Sequence, residues 1–212
     1  MVNASALYVI TYILDDPGNT SLPLIMGSML VGALVSTPLW VTVSQKVNDN
    51  KKMSIFAGLL MTASFVPMVF AVTRWQWMAT LALFGVSLGG QWFMDPPTMG
   101  DVLDDVAVKT GRRDPGVYMG YQAFMFKLGQ TSVAAIFAIV HTATGFVSGA
   151  PSLAQLMTMS PTPELAVFGI RIHAAMVPAV VVLIATLLFW KLYDLTPDKV
   201  AANKAILEER GL

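Results

Sequence analysis

The sequence predicts an all-α membrane protein with six transmembrane helices. Apolar residues make up 55% of the 212 residues and charged residues only 12%, whereas a soluble domain has about a quarter of its residues charged. The mean hydropathy is +0.64, and several apolar runs approach the ~20 residues that a helix needs to cross a bilayer. These observations exclude a soluble enzyme and a disordered chain.

The predicted spans are residues 4–14, 22–44, 53–73, 77–94, 117–141 and 168–192, which form one bundle over residues 1–195. The first segment is short, because residues 1–14 reach only ~21 Å as a helix and the bilayer core is ~30 Å thick. It is either a partial span or the end of a longer helix, and we favour the second interpretation. Pro38, Pro67 and Pro178 lie inside spans, where neighbouring helices can satisfy the freed carbonyl groups.

Residues 196–212 are too polar to cross a membrane. Thr196 followed by Pro197 is typical of a helix start, with Thr196 as the N-cap and Pro197 at the first helical position. The pattern of the next residues fits a short amphipathic surface helix, namely Val200, Lys204, Leu207 and Glu208. We expect a solvated cytoplasmic tail without a specific partner.

Basic residues predict the orientation of the bundle. Residues 45–52, 95–116 and 191–212 hold ten lysines and arginines, and the opposite loops hold Arg74 alone. These basic segments are therefore expected to face the cytoplasm, with both termini inside and the protein in the plasma membrane. The chain has 13 basic and 13 acidic residues, so it lacks the positive excess that nucleic-acid binding requires.

A polar segment follows the fourth predicted span and is expected to form an ion-pair latch. Asp101, Asp104 and Asp105 recur at spacings of three and four residues, which places them on one face of a helix. A divalent-cation site and a solvated loop are the alternatives, but the basic residues nearby favour charge pairing. The carboxylates would pair with Arg112 or Arg113 in one conformation and separate in another.

Lys127 lies near the middle of the fifth predicted span, beside Phe126. A charge at that depth is costly, so it usually faces a cavity or a polar partner. Gln122 precedes it by five residues. Snorkelling to the membrane surface is the alternative, but Lys127 is too deep for an easy reach. Trp92 in the fourth span could either stack on a sugar ring or anchor the helix at the interface.

The sequence offers no catalytic set and no metal site. It has no cysteine and only two histidines, His141 and His173, which is too few for a zinc or haem site. Both histidines and Arg171 are expected to lie at a membrane interface. An intramembrane enzyme would need a nucleophile and a base at membrane depth, and apart from Lys127 the sequence supplies none.

Residues 100–128 carry a long motif that resembles a known family. It reads GDVLDD at residues 100–105, KTGRRDPG at 109–116 and FMFKL at 124–128. This pattern is similar to that of the glycoside–pentoside–hexuronide:cation symporters, the melibiose permease-like family of the major facilitator superfamily. Residues 38–40, PLW, and 195–200, LTPDKV, agree with it. Asp105 and Asp114 depart from the family pattern, which has an aromatic residue and Glu there.

The resemblance covers essentially the whole chain but only the second half of the family's twelve spans. It implies the C-terminal six-helix bundle of a transporter that carries a sugar or related solute with a cation by alternating access. An N-terminal six-helix half would complete it, as part of a longer polypeptide, as a separate chain or as a second copy. A non-transporting membrane scaffold and a truncated, non-functional fragment are the alternatives.

The resemblance also implies residue roles. The coupling cation, Na⁺ or H⁺, would have its ligands outside this chain, and no other cofactor is expected. The predicted substrate-binding residues are Trp92, Gln122, Phe126 and Lys127. The predicted cytoplasmic gate consists of Asp101, Asp104, Arg112 and Arg113.

Overall fold

A computed structural model describes residues 1–211, and these residues form helices without any β-strand. The helices are α1 (Val2–Tyr12), α2 (Leu22–Val47), α3 (Asn50–Phe70), α4 (Arg74–Thr110), α5 (Pro115–Thr144), α6 (Leu153–Met159), α7 (Pro163–Arg171), α8 (Val177–Leu192) and α9 (Pro197–Arg210). A π-helical turn, Ile172–Met176, joins α7 to α8, so that Pro163–Leu192 is one helical segment.

Side-chain caps explain several helix starts. The Asp49 carboxylate accepts the backbone N–H of Lys52 at 3.0 Å at the start of α3. Thr73 and Gln76 form a reciprocal capping box at the start of α4. Thr196 accepts the backbone N–H of Lys199 at 3.4 Å, which confirms the predicted N-cap of α9.

Four segments are long and apolar enough to cross a membrane. They are α2, α3, α5 and the segment Pro163–Leu192. The other two predicted spans are helical as well, but α1 has only 11 residues and α4 runs for 37 residues from an apolar half into a polar one. Length and composition thus support four of the six predicted spans.

The predicted loop at residues 95–116 is largely helix, which corrects the sequence interpretation. α4 continues through Pro96 and Pro97 as far as Thr110 and ends at Gly111 with a φ of +69°. Polar contacts hold this extension against its neighbours: the hydroxyl groups of Ser54 and Thr98 lie 3.1 Å apart. A left-handed φ is easily adopted by glycine, so the helix stops there.

Residues 142–167, expected to be a loop, contain α6 and the start of α7. Ser152 caps α6 by accepting the backbone N–H of Gln155 at 3.4 Å. Pro163 stands at the first turn of α7 and Glu164 follows it, both favourable at a helix start.

Close backbone contact between α2 and α4 organises the bundle. A Cβ added to Gly85 would overlap the carbonyl oxygen of Met29, and one added to Gly32 would overlap that of Ala82. The Trp40 indole donates a hydrogen bond of 2.8 Å to the Val86 carbonyl. Glycines let membrane helices approach closely. Gly32 on α2 and Gly85 on α4 allow the close approach of these two helices.

The end of α9 packs on α4, in contrast to the solvated tail expected from sequence. Asn203 and Leu207 are 6% and 3% exposed. The Arg210 guanidinium donates a hydrogen bond of 2.8 Å to the Val108 carbonyl. The extension of α4 supplies this surface, and the sequence interpretation lacked it because it placed a loop there.

His173 is buried within the bundle, and Arg171 is half-buried. His173 is 0% exposed. The Arg171 guanidinium donates to the carbonyls of Val69 and Ala71 at 2.6 and 2.7 Å. These are among the last carbonyls of α3, which a helix end leaves without intrahelical partners, so the arginine satisfies them.

α5 stands apart from the rest of the bundle over most of its length. Of its 30 residues, only Thr144 at its end is buried. Its C-terminal end contacts α1, α7 and the π-helical turn, where Phe137 packs on Tyr8. The N-terminal half of α5 therefore presents most of its surface outside the bundle.

Candidate functional site

Polar side chains of α4 and α5 meet at one point on the open side of the bundle. The side-chain nitrogen of Gln122 lies 3.3 Å from both carboxylate oxygens of Asp95. On α5, the Lys127 ammonium donates a hydrogen bond of 3.3 Å to the side-chain oxygen of Gln130. We call Gln91, Asp95, Gln122, Lys127 and Gln130 the α4–α5 polar face.

Two predicted aromatic residues flank this face. Trp92 is 60% exposed and Phe126 is 66% exposed. Trp92 comes one helical turn before Asp95, and Phe126 comes one turn after Gln122. The structure therefore places Gln122 against α4. The side chains of Trp92, Phe126 and Lys127 are exposed on the surface of this chain.

A groove of about 400 Å³ lies beside the α4–α5 polar face, between α3, α4 and α8. Its walls mix hydroxyl, amide and carboxylate groups with apolar side chains; the polar lining consists of Ser54, Gln91, Asp95, Thr98 and Thr186. A groove with a largely apolar lining and a few polar groups that converge on it is the usual form of a small-molecule site.

The carboxylates of Asp101, Asp104 and Asp105 on α4 have different partners, although their spacing suggested a single face. Asp104 pairs with Arg113, with Nη2 and Oδ1 2.8 Å apart. Asp101 accepts hydrogen bonds from Asn50 at 2.7 Å and from Tyr193 at 3.1 Å. Asp101 thus ties α4 to α3 and to the end of α8, and it has no arginine partner among the described residues.

Asp105 ties α4 to α9. It accepts hydrogen bonds from the Lys109 ammonium and from the Asn203 amide, the latter at 3.1 Å. Burial opposes ionisation of Asp105, but the hydrogen bonds from Lys109 and Asn203 outweigh it and lower the pKa of this carboxyl. The same hydrogen bond raises the pKa of Lys109. The Asp105–Lys109 pair is therefore fully charged at neutral pH.

Tyr193 completes the cluster around Asp101. Burial, and then the negative charge of Asp101, raise the pKa of Tyr193. Its phenol consequently stays protonated at neutral pH and donates to the carboxylate. Within residues 1–211, the Arg112 side chain makes no hydrogen bond or ion pair, so Arg113 is the arginine that meets a carboxylate.

Sequence reasoning missed Asp95, Asn50, Tyr193 and Asn203. Asp95 carried a usable signal, because it stands one turn after Trp92 at the end of an apolar run. The other three lie far from α4 in sequence, between 51 and 98 residues from their partners. Over the described residues, no group of three or more His, Cys, Asp or Glu side chains could hold a metal ion.

Comparison with known proteins assigns the chain to a family. The family described as MFS/sugar transport protein matches residues 1–197. The chain is also similar to the glucuronide carrier protein homolog of Escherichia coli (strain K12), with 27% identity over 207 residues. That alignment covers 93% of this chain but 41% of the relative, so the chain spans less than half the relative's length. No solved structure matches it significantly. Since the family match covers most of its length, the chain belongs to the MFS/sugar transport proteins, a melibiose permease-like family of multi-pass membrane transporters.

Proposed function

We propose that this chain is the C-terminal half of a secondary active transporter that moves a sugar or related solute together with a cation. A second six-helix half would face the α4–α5 polar face and close the solute cavity. The chain spans 41% of the length of its curated relative, which supports a role as part of a longer assembly. Alternating access by rocking of two halves is the mechanism that such architectures use.

The exposed Lys127 in a membrane-spanning helix carries this proposal. α5 is one of the four segments apolar enough to span a bilayer. Lys127 lies ~18 Å from the start of α5 and ~25 Å from its end, at 1.5 Å per residue. An ammonium at that depth, bonded only to Gln130 among the described residues, would be costly in lipid. A water-filled cavity removes that cost.

The residue roles follow from this placement. Lys127 and Gln122 would donate hydrogen bonds to solute hydroxyl or carboxylate groups, and Asp95 would accept them. Trp92 and Phe126 would pack on the apolar faces of the solute. The ligands of the coupling cation, Na⁺ or H⁺, would belong to the second half.

The Asp104–Arg113 pair would act as a gate on the cytoplasmic side. The basic residues around the α2–α3 connection, around the α4–α5 connection and in the tail support a cytoplasmic location for this end and for both termini. The pair closes the turn between α4 and α5. Its separation would let α5 move relative to α4, and a solute would drive that change only by binding the two states unequally.

The first experiment identifies the working protein. An antibody against the α9 segment, Pro197–Arg210, is used to blot membranes of the source cell and to isolate the native product or complex. We expect the purified product, in lipid vesicles, to take up a labelled sugar from a panel of glycosides, pentosides and hexuronides when a Na⁺ or H⁺ gradient is imposed. A product that inserts correctly and takes up none of them would contradict the proposal.

Lys127→Leu separates a transporter from a membrane scaffold. We expect it to reduce uptake at least tenfold while membrane insertion is unchanged, because a cavity needs the ammonium and a lipid-facing helix does not. Lys46→Leu at the end of α2 is the matched control and should retain uptake. Equal function of Lys127→Leu and the native protein would favour a scaffold.

A further inference from the structure

The only two histidines of the chain meet where α5 joins the bundle. His173 stands in the π-helical turn between α7 and α8, and His141 stands one turn before the end of α5. Their ring centroids are 5.1 Å apart. π-Helical turns are rare and often occur at functional sites, and this one carries the fully buried His173.

Aromatic side chains surround the two imidazoles. Phe137 lies 4.2 Å from His173 between ring centroids, and Phe146 stacks on His141 at 4.3 Å. Tyr8 of α1 lies 5.0 Å from His141 and 5.5 Å from His173. We call these five residues the histidine–aromatic cluster. It joins α1, α5 and the π-helical turn.

Each histidine has a ring nitrogen without a partner. His173 Nδ1 is 2.8 Å from the Ser5 hydroxyl. The Nε2 atoms of His173 and His141 are both buried without a hydrogen-bond partner among the described residues. A neutral imidazole has one donor and one acceptor nitrogen. In the tautomer with the proton on Nδ1, each ring therefore has an unpaired acceptor at Nε2 that can take up a proton.

No counter-charge faces this pair. Within residues 1–211, no ion pair involves either imidazole. α1 places the Tyr8 phenol against the two imidazoles. The hydroxyl group of Tyr12, one turn further along α1, donates a hydrogen bond of 2.6 Å to the Ala150 carbonyl. From α7, Arg171 is engaged by the carbonyls at the end of α3, and Glu164 is exposed. α6 has no titratable side chain.

A proton on either ring would therefore place a positive charge in an aromatic environment. A buried charge without a partner is strongly unfavourable, and a second proton would add repulsion across the pair. The cluster can relieve both costs by opening to water. Because α5 touches the bundle at this end and is exposed elsewhere, opening the cluster would release α5.

We propose that His141 and His173 form a proton-binding site, and that proton uptake there loosens the attachment of α5 to α1 and the π-helical turn. This inference depends on the geometry of the cluster and not on the transport activity. If the chain transports, the site would make the position of Lys127 and Gln122 sensitive to pH.

Imidazole ¹⁵N NMR of the 212-residue chain in lipid nanodiscs tests proton binding without any substitution. The two histidines give two signals, and coupled sites take up protons in two separate steps. We expect two steps. Two independent titrations, each with the profile of a free imidazole near pH ~6.5, would overturn the proposal. The absence of any titration between about pH 4.5 and about pH 8, on either side of that value, would also overturn it.

Spin-label distances test the release of α5. The chain lacks cysteine, so Met125→Cys on α5 and Leu187→Cys on α8 can be labelled specifically. We expect their mean distance to increase by about 5 Å or more, one helical turn, over the pH range in which the histidines titrate. The control pair, Leu34→Cys on α2 and Leu83→Cys on α4, should not change.

The variant His141→Gln/His173→Gln should make the α5–α8 distance independent of pH. If it fails to fold, the NMR titration and the two label pairs in the native background still decide the question. Proton uptake without any change in the α5–α8 distance would overturn the proposed release of α5.

Discussion

The Gln122 side chain on α5 bridges both carboxylate oxygens of Asp95 on α4, at 3.3 Å each. Among residues 1–211, this is the only hydrogen bond between the N-terminal half of α5 and another helix. Asp95 also lines the groove between α3, α4 and α8. One contact thus links the position of α5 to this groove.

Loss of this contact should change both helix position and solute binding. We predict that Asp95→Asn lowers uptake by the isolated native product at least fivefold, since a hydrogen bond to a charged group contributes about 1.5–3 kcal/mol. Gln122→Leu should have a similar effect. Gln155→Leu on α6 is the control, and uptake assays are the measurement. Native uptake by both Asp95→Asn and Gln122→Leu would show that the contact is only structural.

The Asp104–Arg113 pair should respond to charge reversal as a unit. Arg113 is half exposed, with a side-chain exposure of 51%, so the pair contributes only up to about 1 kcal/mol. We predict that Arg113→Asp changes the rate of uptake by up to about fivefold, and that the added change Asp104→Arg restores it at least in part. Arg112→Asp should have a smaller effect. If the loss of uptake in the double variant equalled the sum of the losses in the two single variants, direct pairing of Asp104 and Arg113 during transport would be excluded.

Docking of α9 on α4 should be lost in acid. The pKa of Asp105 is lowered in the folded chain. The stabilisation of α9 docking by the Asp105 carboxylate is therefore fully present above the ordinary carboxyl pKa of about 3.9. It is lost as the pH falls through the lower pKa of the folded state. A spin label at Ala205→Cys should therefore be immobile at neutral pH and become mobile only in strong acid.

Asp105→Asn provides the comparison for the α9 measurement. The amide still accepts from Asn203 but has no charge to attract Lys109, so the label should be more mobile at neutral pH. Glu208→Gln on α9 is the control, because Glu208 is exposed and forms no ion pair among the described residues. Detachment of native α9 near neutral pH would contradict the role assigned to Asp105.

Gly85 should be difficult to replace in the α2–α4 contact. A Cβ at Gly85 overlaps the Met29 backbone, which cannot rotate away, whereas a Cβ at Gly27 has nothing within 4 Å. We predict that Gly85→Ala destabilises the bundle by about 1–3 kcal/mol or more, measured by unfolding in mixed micelles. Gly27→Ala should have less than a third of that effect. If Gly85→Ala and Gly27→Ala were equally stable, Gly85 would not lie in a close contact between α2 and α4.

Much of the helical fold could be predicted because membrane helices follow local rules. Apolar runs, glycine spacing and the Thr196–Pro197 cap are all visible in the sequence. Gly85 and Gly89 are four residues apart and lie against the backbone of α2, but a Cβ added to Gly116 or Gly120, which have the same spacing, would meet nothing within 4 Å. Spacing permits an approach between helices, and tertiary packing decides whether it occurs.

The polar contacts were harder to predict, because they depend on pairs far apart in the chain. Asp104 and Arg113 are nine residues apart and were predicted as partners, whereas Asp105 and Asn203 are 98 residues apart and were not. The extension of α4 past Pro96 and Pro97 was also missed. Prolines normally end a helix, and here contacts with α3 and α9 keep the helix intact.

Water access to α5 tests the central claim most directly. Lys127→Cys and Leu128→Cys stand at the same depth on adjacent positions of α5, and the chain has no other cysteine. Each variant of the native product is treated, in its membrane, with a charged methanethiosulfonate and with a lipid-soluble maleimide. A solute cavity predicts that position 127 reacts with the charged reagent at least tenfold faster than position 128. Equally slow reaction of both with the charged reagent, with fast reaction of both with the maleimide, would place this face in lipid and contradict the transporter account.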